Sequence, residues 1–141
     1  MLPKYHILLG FTLSILLYSF SLITLPQATL IFLSSFLIDI DHYLFYVKKK
    51  KDYNLKNAVI WFKETLFLKK HKPMLVVFHT IEFIVLIAIL SLYFKALIFI
   101  LIGLLFHSIT DLFYFIYLGF FNVREYSLIR YLVSNKNNYY H

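Results

Sequence analysis

The chain predicts an all-α polytopic membrane protein, with four transmembrane helices in a bundle and amphipathic helices lying on its surface. Three observations carry that prediction. Hydrophobic residues make up 61% of the chain and charged residues only 15%, at a mean hydropathy of +0.75, far from soluble globular norms. The 16 Phe and 12 Tyr residues bring more apolar surface than a 141-residue globule can bury. The apolar runs also come in bilayer-crossing lengths and are separated by short polar breaks.

Taken in order, residues 7–25 carry no charge and are long enough to cross a hydrocarbon core about 30 Å thick. No cleavable signal is expected, because this run exceeds a signal core and no small-x-small site follows it. Pro26-Gln27 reads as a tight connection into a second span, 28–47, which Lys48–Lys51 end abruptly. Residues 52–72 are lysine-rich, yet Leu55, Val59, Phe62 and Leu66 recur at helical spacing. That fits either an amphipathic surface helix with its lysines toward anionic lipid headgroups or a solvated basic loop. Trp61 reads as an interfacial anchor. Pro73 opens a third span, 74–94; Lys95 marks a turn, and a fourth span covers 96–118. The tail 119–141 places Leu128, Ile129, Leu132 and Val133 among basic residues, again as a surface helix. Neither repeats nor linkers divide the chain, so 1–141 is read as one membrane domain.

Charge sets the orientation. Nine of the 14 basic residues are lysines between Lys48 and Lys72, and three more lie in the tail. The positive-inside rule puts both termini and the 48–73 loop on the cytoplasmic side of the cell (inner) membrane. The expected partner is the bilayer, not nucleic acid, because the +7 net charge is concentrated beside a span. Without cysteine, any metal site must be built from histidine and carboxylate.

Four of the seven acidic residues fall inside spans: Asp39, Asp41, Glu82 and Asp111. Histidines His6, His42, His79 and His107 lie in or at the edge of spans as well. Asp39/His42 and His79/Glu82 are spaced i,i+3 and His107/Asp111 i,i+4, so each pair shares a helix face. Counted from the cytoplasmic ends, the pairs lie roughly 8–17 Å deep, in one layer edged by His6. Gly10, Ser34, Ser35 and Gly103 would let the helices approach there, and Thr80, Ser108 and Thr110 could hold the ligands in place. No Lys or Arg lies within the spans to pair with these carboxylates. One divalent cation, or two, would supply the missing charge; a water-filled polar cavity is the alternative.

His6, Ile38-Asp39-Ile40-Asp41-His42, the histidine-bearing start of the third span and Gly103-x3-His107-x3-Asp111 together resemble the YdjM-like family. That family is described as LexA-binding, inner-membrane-associated, metal-dependent hydrolases, remotely related to zinc-dependent phospholipase C. The resemblance implies metal-site roles for His6, Asp39, Asp41, His42, His79, His107 and Asp111. Two departures stand out. Leu37-Ile38 replaces the family's proline, and its His-Arg-Gly-x-x-His stretch appears only as His71-Lys72-Pro73 followed, at longer spacing, by His79.

The function expected from these residues is a metal-dependent hydrolase at the cytoplasmic face, holding zinc, with manganese or iron also suited to the donors. Glu82 and Asp41 are the candidate catalytic carboxylates, and a phosphoester or lipid suits the depth. A proton or metal-ion transporter, or a non-catalytic membrane protein that retains the site, is the alternative.

Overall fold

The computed structural model describes residues 1–67, 74–119 and 124–136. His71, Pro73, most of the lysines beyond Lys63 and the last residues of the tail lie outside them. The described chain is helical: α1 (Pro3–Ser19), α2 (Leu25–Leu37), α3 (Ile40–Lys50), α4 (Leu55–Phe67), α5 (Ile81–Ser91), α6 (Ala96–Leu118) and α7 (Leu128–Lys136). The one extended element pairs Met74–Leu75 with Arg124–Glu125 in parallel. Among the described residues, two stretches are long and apolar enough to cross a membrane: Leu25–Lys50, taken through α2 and α3, and α6.

Helix boundaries depart from the sequence expectation in three places, each for a local reason. α1 runs over 3–19 and not 7–25, because Pro3 suits the first turn and the chain reverses at Ser21, which adopts φ +56°. Pro26-Gln27 is therefore no connection but the first turn of α2. Thr24 caps that helix, and the Gln27 side chain accepts the Thr24 N–H at 2.8 Å.

The second span breaks between Leu37 and Ile40. Tight i,i+3 bonds from Asp39 N–H to the Phe36 carbonyl (3.2 Å) and from His42 N–H to the Asp39 carbonyl (3.1 Å) mark the break. Asp39 becomes the residue preceding α3 and spends no side-chain bond on capping it.

The third expected span, 74–94, is helical only from Ile81. Its start pairs with 124–125, and a 3-10 turn over Val77–His79 leads to Thr80, whose hydroxyl accepts the Phe83 N–H. With 11 residues, α5 spans only about 16 Å, half a hydrocarbon core.

α2 is the central helix, packed against α1 on one side and α6 on the other. Both contacts occur at glycines: Gly10 faces Ser35, and Gly103 faces Ser34 and the Ile31 carbonyl. Small residues bring the backbones together there, as expected.

The interior is polar to an unusual degree. Beside Ile31 and Val76, the most deeply buried side chains are His6, His107, Asp111, Thr80 and Ser35. Large apolar side chains instead face outward, among them Leu8, Phe11 and Ile15 of α1, Val85 and Ile89 of α5, and Ile109 and Phe113 of α6.

α4 forms over the amphipathic stretch, but Leu55 is exposed and, among the described residues, the buried ones are Ala58 and Thr65, with Lys56 and Lys63 exposed. Asn54 caps it by accepting the Lys56 N–H at 2.9 Å. Trp61 packs beside Tyr46, with the Lys49 ammonium 5.4 Å from its ring. Asp52 ties the α3–α4 turn, accepting bonds from the Tyr46 hydroxyl (2.6 Å), Asn54 N–H (2.9 Å) and the Asn57 amide (2.9 Å).

Those bonds, the tyrosine's first, favour the ionised form and lower the Asp52 pKa. A lowered folded-state pKa stabilises the turn above the ordinary carboxylate range, and that contribution is lost as pH falls through the lowered value. Protection of the first α4 amides against exchange is thus expected to drop on acidification. Asp52→Asn should show the weaker protection already at neutral pH; equal protection in both proteins would refute the role.

Candidate metal centre

Three helices, the break between α2 and α3 and the 3-10 turn deliver the candidate residues to one place. α1 supplies His6 in its first turn, the α2–α3 break supplies Asp39, and α3 supplies Asp41 and His42. The 3-10 turn supplies His79, and α6 supplies His107 and Asp111 one turn apart. Among the described residues, three overlapping trios have donor atoms within 4.8 Å of one another: His6/His107/Asp111, Asp39/His79/His107 and Asp41/His42/His79. All seven residues expected at the metal site on sequence grounds are brought together.

The middle trio has the geometry of an ion site. Asp39 Oδ1 lies 3.5 Å from His79 Nε2 and 3.5 Å from His107 Nε2, and those two nitrogens are 3.1 Å apart. A tetrahedral ion with metal–ligand distances of about 2.0–2.1 Å holds its donors about 3.3 Å from each other. Two further donors stand at the same range: His42 Nε2 is 3.5 Å from Asp39 Oδ1, and Asp111 Oδ2 is 3.5 Å from His107 Nε2.

Hydrogen bonds behind the rings aim the nitrogens. His107 Nδ1–H donates to the Ser35 carbonyl at 2.8 Å, and His79 Nδ1–H donates to Asp41 Oδ2 at 3.2 Å. With those protons committed, a neutral ring in either position presents its Nε2 lone pair to the other. Two facing lone pairs repel unless a positive charge lies between them. A proton can serve in the metal-free chain; a divalent cation also satisfies Asp39. Asp39 Oδ2 and Asp41 Oδ1 are buried without a hydrogen-bond partner among the described residues, which suits a site drawn for a cation.

Asp41 is thus placed behind His79, where it also accepts the Phe78 N–H at 2.9 Å. A carboxylate behind a ligating histidine fixes its tautomer and orientation. His6 is likewise behind the cluster: its Nε2–H donates to Asp111 Oδ1 at 3.0 Å, and its ring stacks on His107 at 3.8 Å. Of the three hydroxyls expected to support the site, Thr110 reaches His6 Nδ1 at 3.4 Å, whereas Thr80 bonds the Val77 carbonyl and Ser108 is without a hydrogen-bond partner among the described residues.

Two expectations need correction. Glu82 does not reach the cluster. Its carboxylate accepts bonds from the Ser127 hydroxyl (2.6 Å), Leu128 N–H (3.0 Å) and Ile129 N–H (3.2 Å), satisfying the start of α7. Its position in the first turn of α5, after the Thr80 cap, commits it to the start of α7, and it belongs to none of the three trios. Nor do all the carboxylates lack a protein cation: the Met1 ammonium lies 2.5 Å from Asp111 Oδ1.

Replacing Glu82 by Gln is expected to speed amide exchange in α7 while leaving metal binding unchanged. Loss of metal in that variant would contradict its assignment to α7.

The Ser35 carbonyl and Phe78 N–H were not foreseeable, since backbone groups leave no trace in residue identity. Beside the cluster a pocket opens, lined by Asp39, His42 and Asp111 and by residues of α4. The chain matches no protein-family model, no curated protein and no solved structure.

Proposed function

We propose that this chain is a membrane-embedded, metal-dependent hydrolase whose Asp39/His79/His107 centre works at the cytoplasmic face of the cell membrane. The observation that carries the reading is the pair of histidine nitrogens facing each other at 3.1 Å beside Asp39, each aimed by an acceptor behind its ring. His42 and Asp111 stand by to complete the coordination, and Asp41 holds His79 in register. Nitrogen and oxygen donors without sulfur suit zinc, with manganese or iron next. A bound ion of this kind lowers the pKa of water towards neutrality and stabilises charge on an attacked phosphoryl or acyl oxygen.

Membrane insertion is part of the proposal. Outward apolar faces on α1, α5 and α6 around a polar interior support it. The inserted elements are α1, the α2–α3 pair, α5 with its flanking segments, and α6. The lysines that end α3 and stud α4 support an orientation with both termini on the cytoplasmic side. The order of the His and Asp motifs supports a kinship with YdjM-like proteins.

The test is hydrolysis of phosphate and acyl esters by protein in lipid vesicles, before chelation, after it and after zinc is restored. Turnover that disappears and returns with the metal supports the hydrolase. Ion flux without ester cleavage would replace it with a transporter.

A further inference from the structure

We propose that the pocket beside the cluster binds the reacting end of an anionic amphiphile, a phosphate ester carrying an apolar chain, with α4 as its roof and Lys63 recognising the charge. The proposal rests on the metal reading above and names its substrate class.

The cavity measures about 110 Å³ and is lined by Asp39, His42 and Asp111, so whatever fills it meets the donors not buried behind His79 and His107. Leu55, Val59 and Phe62 of α4, with Phe115 of α6, make most of the remaining wall apolar. Lys63 lines it with a cationic side chain, and the Met1 ammonium, already paired with Asp111, lines it too.

Size and chemistry then select the occupant. Pockets that enclose a whole drug-sized ligand measure roughly 300–1,000 Å³, so this one takes only the end of a longer molecule. A small soluble phosphate would leave the α4 wall without a partner. An ester followed by methylenes fills it, and each buried methylene contributes about a fourfold gain in affinity. The charge is complementary as well, since Lys63 faces an anionic head while the ion offsets the carboxylates beyond it.

Non-hydrolysable phosphonates provide the test. The full chain, reconstituted in phosphatidylcholine nanodiscs and loaded with Co²⁺, reports ligands at the ion through its visible spectrum. Methyl-, butyl- and octylphosphonate are titrated in turn. The expected result is an affinity at least tenfold higher for octyl- than for methylphosphonate. Val59→Trp, which fills the pocket, should erase that gain while leaving cobalt stoichiometry intact. Lys63→Gln should weaken all three ligands by a similar factor. Leu55→Trp, at the exposed start of α4, makes the same test should Val59→Trp lose its fold.

An affinity independent of chain length would overturn the proposal in favour of a soluble phosphate ester. A chain-length gain that survives both tryptophans would overturn it in favour of simple partitioning into lipid. Failure of the wild type to bind cobalt would overturn the metal reading itself, and this proposal with it.

Discussion

His107→Ala and, separately, Asp39→Ala are each expected to weaken metal binding by more than about a hundredfold, since replacing even an outer partner of a metal ligand typically costs 10–100-fold. Each substitution removes one of three donor atoms that lie 3.1–3.5 Å from one another. His107→Ala also leaves the Ser35 carbonyl without its N–H and removes the ring on which His6 stacks. Asp41→Asn should show a smaller loss, about 10–100-fold, because Asp41 reaches the Asp39/His79/His107 trio through the His79 ring. Competition with a chromophoric chelator gives all three affinities, and circular dichroism checks that helicity is retained. Equal losses at Asp41 and Asp39 would mean that the ion sits in the Asp41/His42/His79 trio instead.

Gly103→Ala is expected to destabilise the fold by about 1–3 kcal/mol, the usual range for overpacking a close contact, despite alanine's better helix propensity. A Cβ there would lie 2.0 Å from Ser34 Oγ and 2.5 Å from the Ile31 carbonyl oxygen. The hydroxyl can rotate away, but the carbonyl belongs to the α2 backbone, so α2 and α6 must move apart. His107 and Asp111 follow one and two turns later on α6, and metal affinity should fall with stability.

Gly10→Ala differs in kind, because its close contacts are the Ser35 side chain at 1.8 and 2.8 Å, with the nearest backbone atom at 3.8 Å. Ser35→Gly should therefore rescue Gly10→Ala, whereas Ser34→Gly should not rescue Gly103→Ala. Thermal unfolding in detergent of the four single and two double variants decides the matter. Full rescue of Gly103→Ala by Ser34→Gly would show that the Ile31 carbonyl is not the obstacle.

The i,i+4 spacing of His107 and Asp111 was legible because both lie within α6, whereas His6, Asp39, Asp41, His42 and His79 were legible by their depth along the chain segments that carry them. Gly10 and Gly103 opposite Ser35 and Ser34 were legible too, since small residues matter only where backbones meet. What could not be read depends on backbone geometry. The break at Asp39 follows from i,i+3 hydrogen bonding within a run that holds no proline or glycine to announce it. The extended start of 74–80 follows from its pairing with a segment 50 residues further along. Glu82 was drawn into the site by its spacing from His79, on the assumption that both share one helix. His79 lies in the 3-10 turn before the Thr80 cap, and that change of geometry sends Glu82 to α7.

Metal analysis of the purified wild-type protein tests the central claim most directly. After expression in zinc-supplemented medium and gel filtration in metal-free buffer, the expected result is at least one equivalent of zinc per chain, lost in His107→Ala and kept in Glu82→Gln. A helical wild-type preparation that carries no zinc, and takes up no zinc, manganese or iron on titration, would contradict it.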